Sequence, residues 1–135
     1  GICVIDFDKV MPGSALYDFG DSIRFGASSA LEDEPDLSKV WLDMELFAEF
    51  TKGYLGIARE FLTDTEVDHL AFSAKLLTLE CGMRFLTDHL NGDEYFRIHR
   101  PNHNLDRART QFKLVADMEG KMEQLEAMVR AALEE

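Results

Sequence analysis

The spacing of apolar residues changes several times along the chain and predicts one short β element followed by helices. The opening run Ile2, Cys3, Val4, Ile5 is continuously apolar and stops at Asp6, which reads as a buried strand. Met11, Pro12 and Gly13 form a turn signal, since proline fixes one dihedral and glycine frees the next. Ser14 can cap a helix over 15–25, with Leu16, Phe19 and Ile23 on one face and Gly26 as its stop. Residues 27–36 are small, acidic and interrupted by Pro35, so they read as a loop. Over 37–61, Leu37, Val40, Trp41, Met44, Phe47 and Phe50 recur at helical spacing and predict a core-facing stripe. Thr63 or Asp64 then caps a third helix running to about residue 90, with Glu66 placed for the helix dipole. Its middle (Leu76, Leu77, Leu79, Cys81, Met83, Phe85, Leu86) is apolar nearly all round, which predicts a central, buried helix. Pro101 keeps 93–103 irregular, and a long last helix over 105–134 carries Phe112, Val115, Met122, Leu125, Val129 and Leu133.

The fold expected is therefore mainly α, a helical bundle with one short N-terminal β element. A lone strand cannot pair its own backbone groups, and no other segment reads as its partner. The expectation is that the partner lies upstream of Gly1 and that the chain is the C-terminal part of a larger protein. At 135 residues it is long enough for one domain with a core.

Charge narrows the partners. A net charge of −12 without clusters of Lys and Arg argues against a nucleic-acid or anionic-membrane surface. No run approaches the ~20 apolar residues of a membrane span. Cys3 and Cys81 lack metal spacing and read as reduced core thiols, which suggests a cytoplasmic protein.

The candidate chemistry starts at the end of the strand. Asp6 and Asp8 are one strand period apart, so both carboxylates would face one side, an oxygen donor set suited to Mg²⁺. The string VIDFDKVMPGSALYDFGDSIR resembles the metal-binding segment of the aminoglycoside phosphotransferase and choline kinase superfamily. Together with LECGMRFLTDHLNGDEYFRIHRPNHNLDRARTQF it is most similar to the bacterial N-acetylhexosamine 1-kinases of that group. The resemblance implies a protein-kinase-like C-terminal lobe. It implies an enzyme that uses ATP and Mg²⁺ to phosphorylate the anomeric hydroxyl of an N-acetylhexosamine. It makes Asp6 the metal-binding aspartate, Asp8 a supporting or second-metal acid, and Asp18 a structural acid that buttresses the catalytic loop. The catalytic string H-G-D-x-x-x-x-N and a nucleotide lobe are absent from these residues, so no catalytic residue is expected in the chain and it should be inactive alone.

The acceptor would then lie over the helices. Arg84 sits on the most apolar helix, where a buried guanidinium needs a partner, either Glu80 one turn away or a substrate. The resemblance makes it a substrate-contacting arginine. Tyr95 would stack on the sugar, and Phe25 would wall the acetamido pocket; Arg24 and Asp21 read as surface residues. His99 and His103 are four apart, but Pro101 between them denies a shared helical face and argues against zinc. Two alternatives stay open: a kinase of the same superfamily acting on an aminoglycoside, choline or homoserine, and a non-catalytic helical interaction module. Exposed apolar surface, cut off from the rest of the protein, suggests self-association. The kinase assignment further requires the Asp6 carboxylate to face a concavity near Arg84.

Overall fold

The computed structural model describes residues 1–7 and 10–134. The described residues form five α-helices: α1 (Ala15–Gly26), α2 (Met44–Ala58), α3 (Asp64–Asp68), α4 (Leu70–Leu90) and α5 (His103–Leu133). A 3₁₀ turn, Leu37–Lys39, precedes α2. Among the described residues the only β pairing is an isolated antiparallel bridge between Ser28 and Leu42. None of the helices is long and apolar enough to cross a membrane.

The helix starts follow local chemistry. The Ser14 hydroxyl accepts the Leu16 N–H at the head of α1, and Asp43 accepts the N–H groups of Glu45 and Leu46 at the head of α2. Thr63 and Glu66 exchange hydrogen bonds in a capping box at α3. α4 packs along α5, α1 lies on α4, and α2 lies on α5. The core fills the space between them with Phe19 and Ile23 of α1, Phe47 and Leu55 of α2, Leu70 and Ala74 of α4, and Leu114, Met118 and Leu125 of α5.

Two close approaches fix the stacking. A Cβ on Gly20 would stand 2.5 Å from the Ser73 carbonyl oxygen, so only glycine lets α1 rest on the backbone of α4. Gly82 likewise leaves room for the Phe112 ring of α5.

Three expectations from the sequence are corrected. The opening residues form no strand: Ile2, Val4, Ile5 and Phe7 are exposed, and Asp6 takes a left-handed φ of 68°. Extended backbone becomes a strand only when a neighbour pairs with it, and none of the described residues does. The helix expected over 37–61 is two elements. Val40 and Leu42 are buried on either side of exposed Trp41, a two-residue alternation set by the bridge to Ser28. The Leu42 N–H donates to Asp117 of α5 at 2.7 Å, and the helix starts only at the Asp43 cap. Third, α4 is not buried all round. It is a separate helix after α3, and Phe72, Leu76, Leu79, Met83 and Leu90 are exposed, whereas Ser73, Thr78 and Asp88 are buried. Ser73 and Thr78 stay satisfied by donating to the Leu70 and Ala74 carbonyls within α4.

The acidic loop 27–36 is tied down at three consecutive residues. Glu32 pairs with Arg24 of α1 at 2.6 Å. Asp33 receives His103 Nε2 at 2.8 Å and Arg100. The Glu34 carbonyl accepts the Thr110 hydroxyl at 2.8 Å.

Candidate functional site

The C-terminal half of α4, the start of α5 and the end of α1 meet at one end of the bundle, with the segment 91–102 between α4 and α5 draped across them. Asp88 organises that segment. It is buried, accepts the backbone N–H groups of Tyr95 and Phe96 at 2.8 and 2.9 Å, and accepts Asn104 Nδ2 at 2.8 Å. The segment therefore closes on a carboxylate from one helix and an amide from the next. Burial alone would raise the Asp88 carboxyl, but the N–H donors of Phe96, Tyr95 and Glu94 and the Asn104 amide hold it below the usual carboxylate range.

The Asp33 carboxyl is treated the same way. Burial pushes it up, and hydrogen bonding from His103 with the charge of Arg100 brings it down. A lowered folded-state pKa stabilises the fold fully above the unfolded value, about 3.9 for aspartate, and the contribution is lost as pH falls through the folded value. Stability is accordingly expected to fall as pH drops below about 4, with a shallower acid limb in Asp88→Asn. Thermal unfolding of both proteins between neutral pH and pH ~3 checks this, and parallel acid limbs would refute it.

Asp88 places two of the expected substrate residues together. The Arg84 guanidinium lies 5.7 Å from the Tyr95 ring centre and 5.5 Å from that of Phe96. Arg84, Thr87, Asp88, Asn91, Tyr95 and Phe96 line a cavity of about 250 Å³. Arg84 is not the buried cation that its helix suggests: its side chain is half exposed, and Glu80 approaches only to 3.7 Å. An exposed pair at that distance contributes little, which leaves the guanidinium available to a ligand.

Phe25 stands further along the same surface. It is exposed and lines a cavity of about 450 Å³ with Arg24, Ser28, Ser29, Glu32 and Gln111. A third cavity of about 460 Å³ adjoins both, sharing Arg24 and Glu32 with the Phe25 cavity and Arg84 and Phe96 with the Tyr95 cavity. Of the three expected acceptor residues, Arg84 and Tyr95 line one cavity and Phe25 another, the two outer members of a trough of three cavities that share lining residues.

The sequence did not mark the centre of that trough. Arg24, read as a surface residue, keeps a side chain only 10% exposed and bridges Asp21 at 2.8 Å and Glu32 at 2.6 Å. Burial works against its charge, and these two carboxylates more than restore it. Gln111, far along the chain on α5, accepts a third hydrogen bond from it at 3.4 Å. Cys81 also faces the middle cavity. Burial pushes its thiol up to about 11, partly opposed by Arg24. At pH 8 it is then mostly thiol, so iodoacetamide is expected to alkylate exposed Cys3 at least ~10-fold faster than Cys81. Peptide mass mapping over a time course measures the ratio, and equal rates would contradict it.

The remaining expected site residues lie elsewhere. Asp18 is exposed in the first turn of α1, and with burial its charge raises the Tyr54 phenol. Asp6 is exposed and lines none of the three cavities of the trough, so the placement beside a concavity near Arg84 that the kinase expectation requires is not found. Asp8 lies outside the described residues. As a test of fit for Mg²⁺, Asp6 supplies one carboxylate, the right donor chemistry and too few ligands. Among the described residues no three His, Cys, Asp or Glu side chains converge to hold a metal ion. His99 and His103 are engaged with each other, the His99 N–H donating to His103 Nδ1 at 3.1 Å. None of the known protein-family models matches the chain.

Proposed function

We propose that this chain is the acceptor-binding helical part of an ATP- and Mg²⁺-dependent phosphotransferase of the aminoglycoside phosphotransferase and choline kinase superfamily. The acceptor we propose is an N-acetylhexosamine, phosphorylated at its anomeric hydroxyl. The observation that carries this reading is the Arg84 guanidinium seated over Tyr95 and Phe96 at a cavity of about 250 Å³. An aromatic face stacks on the apolar face of a sugar ring, and a pinned guanidinium supplies donors to its hydroxyls. Phe25 lines a different cavity on the far side of the middle one, so no contact with the same sugar is assigned to it.

The support comes from the acceptor side. Bound Mg²⁺ would neutralise charge on the nucleotide phosphates, and Asp6 with Asp8 would be the residues to hold it. The residues of this chain would orient the sugar hydroxyl and exclude water; the general base belongs to sequence outside these residues. In a kinase of this superfamily other parts of the enzyme would cover the exposed apolar stripe Phe72, Leu76, Leu79 and Met83 along α4. Left uncovered, that stripe is proposed to drive self-association. A concentration-independent monomer by light scattering would count against it.

The test of function has two arms. The 135-residue chain is incubated with ATP, Mg²⁺ and N-acetylglucosamine, where no sugar phosphate is expected. It is then titrated with N-acetylhexosamines, choline, homoserine and an aminoglycoside, followed by NMR. Shifts at Arg84, Tyr95 and Phe96 with the N-acetylhexosamines alone are expected. No shift with any N-acetylhexosamine removes the acceptor assignment, and shifts with another alcohol transfer it to that substrate.

A further inference from the structure

The middle cavity of the trough differs in charge from the rest of the molecule. Four arginines, Arg24, Arg84, Arg97 and Arg107, line it with three acids, Asp21, Glu32 and Glu80. In a chain of net charge −12 this is a locally positive wall. The pairing inside it is uneven. Arg24 is satisfied by Asp21 and Glu32, and Arg84 is only loosely met by Glu80. Among the described residues no carboxylate forms an ion pair with Arg97 or Arg107.

Part of this charge, on Arg107 and Arg84, is also held in place. The Arg107 guanidinium lies 5.5 Å from the Phe85 ring centre and donates to the Arg97 carbonyl at 3.1 Å and to Asn104 Oδ1 at 2.8 Å. Arg84 rests over Phe96, which lines the same cavity. A guanidinium lying on a ring loses little freedom when its N–H edge takes an anion, and that edge matches phosphate oxygens two at a time.

We propose that this cavity is an anion site for the phosphate monoester of a small sugar, with Arg97 and Arg107 on the phosphate and Arg84 at the junction with the aromatic cavity. A phosphate monoester carries about −1.5 to −2 charges at neutral pH and three acceptor oxygens, which suits a cavity lined by several arginines better than a single carboxylate does. The sugar half of the ligand rests on the acceptor reading above; the phosphate half rests on the arginines alone.

The experiment titrates the 135-residue chain with inorganic phosphate, N-acetylglucosamine and N-acetylglucosamine 6-phosphate, followed by calorimetry and by the arginine Nε–H signals in NMR. The phosphorylated sugar is expected to bind about tenfold tighter than the neutral one, an advantage that salt weakens. Inorganic phosphate is expected to move the Arg97 and Arg107 signals. Arg97 is exposed, so Arg97→Gln should keep the native circular dichroism and lose the tenfold advantage. Arg107→Lys, which keeps the charge without the fork, should lose part of it. Equal affinity for the two sugars, unchanged by Arg97→Gln, overturns the anion site; if the neutral sugar still moves Arg84 and Tyr95, the acceptor reading stands. Phosphate binding with a silent neutral sugar supports the anion site and removes the acceptor reading instead.

Discussion

Phe19→Ala is expected to remove about 3–5 kcal/mol of stability, as truncation of a fully enclosed aromatic side chain does. Phe19 is fully buried where α1 meets α2. Its ring stands edge-on to Phe47 at 6.2 Å and tilted against Phe50 and Tyr54 at 5.7 and 5.1 Å. Truncation therefore removes one whole aromatic side chain from the core and three ring contacts, each worth roughly 0.5–1.5 kcal/mol beyond area. The cavity left has rigid walls, because helices rather than loops surround it. A domain of this size has about 5–15 kcal/mol in total, so the variant should lose a large fraction of its stability. Urea denaturation checks this, and a loss under ~1 kcal/mol would show that the aromatic cluster is not the core of the fold.

The second large effect is a pair of opposite signs. Gly20→Ala should destabilise by roughly 1–3 kcal/mol, although alanine is the better helix former by about 1 kcal/mol. The new methyl would lie 2.5 Å from the Ser73 carbonyl oxygen and 2.9 Å from its carbon. Both atoms are helix backbone, which cannot swing aside as a side chain would, so α1 must lift off α4. Gly120 sits in the middle of α5, where a Cβ would meet nothing within 4 Å, and there propensity acts alone. Gly120→Ala should therefore stabilise by up to ~1 kcal/mol. Thermal denaturation of the two variants side by side tests the contrast; losses of the same sign would mean that helix contact does not decide the outcome at Gly20.

Local signals in the sequence were read correctly where the structure is itself local. The helix expected over 15–25 is α1, Ala15–Gly26, and the cap expected at Thr63 or Asp64 is the Thr63 capping box. The long last helix and the irregular stretch around Pro101 also stand where expected. What failed depends on distant partners. The apolar spacing of Leu37, Val40 and Trp41 imitates a helix, but the chain there is pinned by Ser28 on one side and Asp117 on the other. Arg24 looks like any charged residue at a helix end until Glu32 and Gln111 arrive from 8 and 87 residues away. Of the candidate site, Arg84 and Tyr95 lie side by side, because Asp88 draws the second onto the first. The carboxylate that does this stands near the end of a largely apolar helix, and nothing local marks its three hydrogen bonds.

The attachment of Glu32, Asp33 and Glu34 to three different partners has a consequence for how this protein can vary in length. Each anchor is fixed to a separate site, one on α1, one at the start of α5 and one further along it. One added or deleted residue between 32 and 34 shifts at least one of them out of register with its partner. Natural insertions and engineered tags are better accommodated after the last anchor, near Pro35, than within the triplet, however exposed the triplet looks from outside.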